Sequence, residues 1–199
     1  MNTFDPETHQ YTIDGRPVPS VTTVLKEAGI IDASFYTPFA AERGTFVHQA
    51  CALYDKDELD MQTLDPALSP YVKAWAKFRR QINVEMSVIE HPYYSPQYGF
   101  AGTIDRAWVE DARFVVCDIK SGAMPKWLPL QLAGYSILID AYSGMGVQLK
   151  DNGTYSVTVI NTVGLFKARR LFLQALETVK TRRKEYGREG ENIRLDIGI

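Results

Sequence analysis

The sequence predicts an α+β (α/β) fold on a mixed β-sheet flanked by helices, and three observations carry that expectation. Residues 20–82 show helical periodicity with helix caps. Residues 84–120 switch to the two-residue period of strands. Beyond residue 120, helix, strand and helix alternate. The chain has 199 residues, enough for one domain with a sizeable core. No repeat or low-complexity linker divides it, so 1–199 reads as a single domain. Its parts are an N-terminal hairpin and helices over 1–84, a sheet core over 85–165 and a C-terminal helix over 166–199.

The elements follow in order. "HQYTIDGRPVP" alternates around Asp14–Gly15, a strong short-range hairpin signal. Ser20 N-caps "VTTVLKEAG", a short helix ending near Gly29. Residues 38–54 read as a second helix, with Phe39, Phe46, Val47, Cys51 and Tyr54 on or near its apolar face. Ser69 and Pro70 start a third, with Val72, Trp75, Phe78 and Ile82 inside. "VEMSVIEHPYYS", "FAGTIDRAWV" and "RFVVCDIK" are three strands, the last two joined by Glu110–Asp111–Ala112–Arg113. A helix over about 127–142, opened by Pro129, a fourth strand "TYSVTVINTV" and a long helix over about 168–186 complete the chain.

Composition bounds the function. The hydrophobic and charged fractions, 45% and 23%, are those of an ordinary soluble protein. No apolar run is long enough to span a membrane, and the N-terminus lacks the marks of a signal or transit peptide. A cytoplasmic protein without a membrane partner is expected. Two cysteines, Cys51 and Cys117, are too few for a disulfide framework and lack CxxC spacing. Both sit in apolar runs and read as small buried hydrophobes. A formal net charge of −2 means that any polyanion site must be a local patch.

"GTIDRAWVEDARFVVCDIKSG" raises the question of function, because it sets Asp105, Asp118 and Lys120 on strands that are otherwise apolar. If the turn is centred between Asp111 and Ala112, Asp105 falls opposite Asp118 and Thr103 opposite Lys120. Opposed side chains share a face, and Asp118 and Lys120, two apart, share one too. Like charges placed opposite each other destabilise a sheet unless neutralised. Lys120 would neutralise one carboxylate; a divalent cation would neutralise both, and hard oxygen ligands suit Mg²⁺ or Mn²⁺. An exposed, salt-bridged hairpin is the competing reading. Against it, "FVVC" before Asp118 predicts a strand buried on both faces, and Gly122 ends that strand near the two charged groups.

The ordered set Gly102-Thr103-Ile104-Asp105, Asp118-Ile119-Lys120 and Gln131-Leu132-Ala133-Gly134-Tyr135 resembles the RecB-like branch of the PD-(D/E)XK nuclease superfamily. "ERGTFVHQA", with His48, is similar to that branch's leading helix. "YTIDGRPVPSVTTVL" resembles its compact stand-alone members, which include phage-encoded nucleases and the mitochondrial genome maintenance exonucleases. The resemblance implies a restriction-endonuclease-like core and a Mg²⁺- or Mn²⁺-dependent deoxyribonuclease of DNA recombination or repair, an exonuclease on free DNA ends, single-stranded ends included, rather than an endonuclease. It implies a metal held by His48, Asp105, Asp118 and the main-chain carbonyl of Ile119. Lys120 would activate water and stabilise charge, and Gln131 and Tyr135 would support the site. Glu90, where many members carry an acidic residue, is a secondary candidate.

Gly44, one turn before His48, lets that helix approach the sheet closely. The chain lacks the cysteines of the iron–sulfur members, so no cluster is expected. It has no room for a helicase, so unwinding would come from a recombination or replication partner. Basic residues expected at DNA are Arg43; Lys73, Lys77, Arg79 and Arg80; and Lys167, Arg169, Arg170, Arg182 and Arg183, beside Lys180 and Lys184. Tyr93, Tyr94 and Tyr98 are candidates for stacking on unpaired bases. His9 and His91 read as structural or exposed. The alternative function is a binding protein that keeps the fold without cleavage.

Overall fold

The computed structural model describes residues 1–32 and 37–195. The first three strands, β1 (Thr3–Asp5), β2 (Gln10–Ile13) and β3 (Arg16–Val18), form a small antiparallel sheet. Asp14 and Gly15 turn β2 into β3 with φ of +50° and +75°, the left-handed pair of a primed hairpin turn. β1 had no signal in the sequence, since three residues are too few to show a period. Helix α1 (Val21–Glu27) follows, its first turn capped by Ser20, whose hydroxyl accepts from the Thr23 amide at 3.1 Å. Then come α2 (Pro38–Asp55) and α3 (Ser69–Ile82), as the periodicity anticipates. Phe39 and Phe46 correct the expected apolar face, being 72% and 47% exposed. The inward stripe of α2 is set by Val47 and Cys51, and one residue's step turns Phe46 about 100° away from it.

The main sheet orders β4 (Val88–Ser95), β5 (Phe100–Glu110), β6 (Arg113–Lys120), β7 (Ser143–Leu149) and β8 (Tyr155–Ile160) side by side. All pairs are antiparallel except β6 with β7, which α4 (Leu128–Ile139) joins in parallel. Helices cover both faces, which makes this the mixed α+β sheet expected. On one face α1, α4 and the long α5 (Thr162–Leu195) pack on Ile104, Ala107 and Val116. On the other, α2 and α3 pack on Trp108, Val115, Cys117 and Ile119. Strand β6 is central and buried on both faces, so the end that carries Asp118 lies inside the molecule.

The β5–β6 turn has Asp111 and Ala112 at φ of +49° and +60°, again a two-residue primed turn. Strand β7 escaped the sequence reading because "SGMGVQL" carries two glycines, which weaken strand propensity. The glycines are there for α4: a Cβ on Gly146 would run into Leu128, and one on Gly144 would lie 3.1 Å from the Leu132 Cβ. Helix α5 starts at Thr162, not near 168, because Asn161 accepts from the Gly164 amide at 2.9 Å and caps it. Among the described residues no helix is long and apolar enough to cross a membrane.

Gly134 marks where three helices meet. A Cβ there would lie 2.8 Å from Val21 of α1 and 2.9 Å from Phe172 of α5. Alanine favours helix over glycine by nearly 1 kcal/mol, but overpacking a close contact typically costs about 1–3 kcal/mol. Gly134→Ala is therefore expected to lower stability in a urea melt, by about 1 kcal/mol net. A variant as stable as wild type would mean that α1 and α5 do not pack this closely on α4.

Candidate active site

The two ladders around β5 both lose regularity at one level. Strands β4 and β5 pair Ile89 with Arg106 and His91 with Ile104, and omit the pair between, Glu90 with Asp105. Glu90 has φ +43°, left-handed backbone that a non-glycine residue holds only when its surroundings fix it. On the other side, β5 pairs with β6 as far as Arg106 opposite Cys117. That is the anticipated register, and it stops one pair short of Asp105 and Asp118. Instead of a regular opposed pair, the Asp105 carboxylate itself accepts from the Ile119 amide, at 2.8 Å. Backbone pairing gives way to a side chain, and that side chain belongs to an expected site residue.

His48 reaches the same place from α2. Its Nε2 lies 2.9 Å from the carbonyl oxygen of Ile119. A carbonyl only accepts, so Nε2 carries the proton and Nδ1 faces the acids, 3.3 Å from Glu90 and 3.5 Å from Asp105. Gly44 is not what permits this approach: a Cβ there would lie 3.8 Å from the Ser121 hydroxyl, an ordinary contact, so the expected close approach at Gly44 is corrected. One ligand atom from each of His48, Glu90 and Asp105 lies within 4.8 Å of the others. Glu90, secondary in the sequence reading, is thus a full member of the tight cluster. Asp118 stands outside it. Its side chain is 1% exposed, and it pairs with Lys120, Nζ to Oδ2 at 2.7 Å, in an ionic contact whose angles make no hydrogen bond.

Lys120 connects the acids to α4. Its Nζ donates to Gln131 Oε1 at 3.1 Å, and Gln131 Nε2 donates to the Tyr135 hydroxyl at 3.1 Å. The Lys120 ammonium also lies 5.3 Å from the centre of the Trp127 ring. Gln131 and Tyr135 are buried, so they form a supporting chain behind the lysine.

The electrostatics follow from burial and crowding. Burial lowers the His48 pKa, but Asp105, Glu90 and Asp118 outweigh it and raise the value to about 9. Burial raises the Asp105 carboxyl to about 7, against the pull of His48 and with Asp118 and Glu90 adding to the rise. For Glu90 burial acts upward, yet His48 and Arg106 hold its carboxyl below the ordinary value. The stabilisation from His48 is complete below its unfolded pKa near 6.5 and is lost as pH rises through about 9. The raised Asp105 carboxyl acts in the same direction, since the folded state is penalised as the group ionises between about 4 and 7. In EDTA the melting temperature should therefore fall between pH 5 and pH 9. A divalent cation held by these groups would have to displace the same protons, so any rise in melting temperature that Mn²⁺ causes should grow over that range. A metal-free melting temperature that climbs with pH would refute this charge assignment.

Several expected DNA contacts are engaged inside the chain. Arg79 donates to Asp55 at 2.8 Å and to the Val84 carbonyl at 2.8 Å. Arg169 is likewise engaged within the chain. It donates to the Ser136 hydroxyl and to the carbonyls of Ser136 and Ala141, at and just beyond the end of α4. Arg183 pairs with the Glu27 carboxylate and Arg182 donates to the Glu27 carbonyl, which clasp α5 to α1. Lys77 donates to the Gly153 carbonyl. Lys73, Arg80, Lys167 and Arg170 are exposed, and Arg43 is half-buried with its guanidinium near Tyr71. Tyr93 and Tyr98 pack against the core and Tyr94 against Tyr11. Cys51 and Cys117 are buried, free thiols.

The residues present fit a hard divalent cation. Two carboxylates and an imidazole nitrogen converge within the span of one ion, a donor set suited to Mg²⁺ or Mn²⁺. Close by, a buried Asp118 oxygen accepts no hydrogen bond. No family model matches the sequence, and no curated protein does. Among solved structures the chain is similar to LHK-Exo, an alkaline exonuclease from Laribacter hongkongensis. The identity is 12%, covering 85% of this chain and 93% of that one, with a TM-score of 0.41. The complex of LHK-Exo with dAMP matches at 12% identity over 88% and 94%, with a TM-score of 0.48. A structure of SSO0001 matches at 17% identity over 84% and 79%, with a TM-score of 0.45.

Proposed function

We propose that the chain is a deoxyribonuclease that hydrolyses phosphodiester bonds with Mg²⁺ or Mn²⁺, acting as an exonuclease on free DNA ends. The observation that carries the reading is the meeting of His48, Glu90 and Asp105 at the break in both ladders, with Asp118 and the Lys120 ammonium beside them. The resemblance read from "GTID", "DIK" and "QLAGY" supplies the substrate class. No sequence-reading module is recognisable, which favours ends over internal sites. Strand separation, where needed, would come from a partner of recombination or replication.

His48 Nδ1, Glu90 and Asp105 would hold the cation, with Asp118 beside them. When bound, the ion lowers the pKa of its water and offsets charge at the phosphate. The Ile119 carbonyl, expected as a ligand, accepts a hydrogen bond from His48 Nε2, which fixes the tautomer and aims Nδ1 at the acids. Lys120 keeps an ammonium at the end of β6, where it orients water and stabilises charge developing on phosphate oxygens. Gln131 and Tyr135 hold that ammonium in place from behind.

The test is to incubate the protein with end-labelled single- and double-stranded DNA in Mg²⁺, Mn²⁺ or EDTA and follow products over time. Metal-dependent release of mononucleotides or short fragments from one end is expected. Binding without cleavage in either metal would leave the fold with a non-hydrolytic role.

A further inference from the structure

Arg106 is completely buried, in a strand whose neighbours are mostly apolar. An arginine is rarely buried to this degree without partners, and an apolar residue in its place is often no less stable. Partners engage Nε and Nη1, while Nη2 is buried without one among the described residues. Nε donates to Asp55 at 2.6 Å. Asp55, itself buried, also accepts from Trp75 Nε1 at 3.0 Å and from Arg79 at 2.8 Å, so it is fixed from three sides. The Trp75 ring centre lies 5.5 Å from the guanidinium carbon. Nη1 then donates to Glu90 Oε1 at 2.9 Å and to the main-chain carbonyl of Asp105 at 2.5 Å.

One nitrogen thus touches both acidic members of the tight cluster, at the level where both ladders break. On Glu90 it holds the side chain of a residue in left-handed backbone. On Asp105 it holds the peptide next to the carboxylate that turns toward Ile119. We infer that Arg106, anchored by Asp55, is the positioning residue of the cation site, setting Glu90 and Asp105 toward His48 before an ion arrives. The inference rests on the cation site proposed above. It extends that site to a supporting layer built from Asp55 of α2 and Trp75 and Arg79 of α3.

The test is Mn²⁺ binding to the full chain, followed by electron paramagnetic resonance, for wild type, Arg106→Met, Glu90→Gln and the double variant. Arg106→Met leaves Asp55 with Trp75 and Arg79, so no buried charge is stranded and the fold should persist. Groups that orient ligands are typically worth about 10-fold or more in metal affinity, and Arg106→Met should weaken Mn²⁺ by about that factor. Acting through Glu90, it should add less in the Glu90→Gln background than it does alone. Asp55→Asn, which keeps an acceptor for Trp75 but loses the anchoring charge, should weaken Mn²⁺ in the same sense; it carries the test if Arg106→Met does not fold. Wild-type affinity in the folded variants, or a double variant whose loss equals the product of the singles, would overturn the role of Arg106 and leave the cation site standing. A wild-type chain that binds no Mn²⁺ would overturn both.

Discussion

Asp105→Asn is expected to abolish cleavage and yet make the metal-free protein more stable. The two effects have one cause. Burial and the neighbouring Asp118 and Glu90 carboxylates raise the Asp105 carboxyl to about 7, so at pH 8 the folded chain holds an ionised group that its surroundings disfavour. Asparagine removes the charge and keeps an oxygen for the Ile119 amide. Each pKa unit is worth about 1.4 kcal/mol, and because His48 loses a favourable partner in the exchange, a net gain of about 1 kcal/mol in EDTA is the expected scale. With metal the sign reverses. A ligand is gone, Mn²⁺ no longer stabilises the fold, and cleavage should drop by about 10³-fold or more, the scale of losing a group that stabilises developing charge. Thermal melts with and without Mn²⁺, beside a cleavage assay, check both halves. A variant that melts lower in EDTA and still cleaves would make Asp105 a structural residue.

Lys120→Met should show the opposite pattern. The Lys120 ammonium has no lone pair to offer a cation, so Mn²⁺ affinity should hold. Cleavage should fall by about 10²–10⁴-fold, the range for losing a positioned proton-transfer or charge-stabilising group. Without metal the variant should melt lower, because the buried Asp118 oxygen loses the ammonium 2.7 Å away. Breaking a fully buried pair costs about 3–5 kcal/mol, and the loss here should be smaller because Lys120 is partly exposed. Methionine keeps the length and the packing toward Trp127. Wild-type rates in Lys120→Met would remove the lysine from the chemistry.

How far the site was legible depends on the range of each signal. The register of the β5–β6 hairpin follows from a turn centred on Asp111–Ala112, and the structure has that register. The convergence of His48 with the strands rests on one helical face, which Val47 and Cys51 pack inward and "ERGTFVHQA" shows in part. What the alternation of strands could not show is the break itself. A regular ladder sets Asp105 opposite Asp118, whereas the chain stops the ladder at Arg106 and turns Asp105 onto a backbone amide. Glu90 was undervalued for the same reason, since its inward turn depends on left-handed backbone that no local motif signals.

Longer-range facts were out of reach. Arg106 stands beside Asp105 in the sequence, but its role depends on Asp55, 51 residues away on another element. The one available signal was an arginine within a strand that reads as apolar. For Arg79 and Arg169, a charge run on a helix gives no clue that each also donates within the chain, to Asp55 and to the Ala141 carbonyl. Strand β7 was hidden by glycines that serve the packing of α4 rather than the strand.

The cation cluster is tested most directly by anomalous diffraction from a crystal of the wild-type chain soaked in Mn²⁺ near pH 8. The expected result is an anomalous peak bonded at about 2 Å to His48 Nδ1, Glu90 and Asp105, with the Ile119 carbonyl still on His48 Nε2. A fully soaked crystal with no peak there, or with the ion more than about 4 Å from His48, would contradict it.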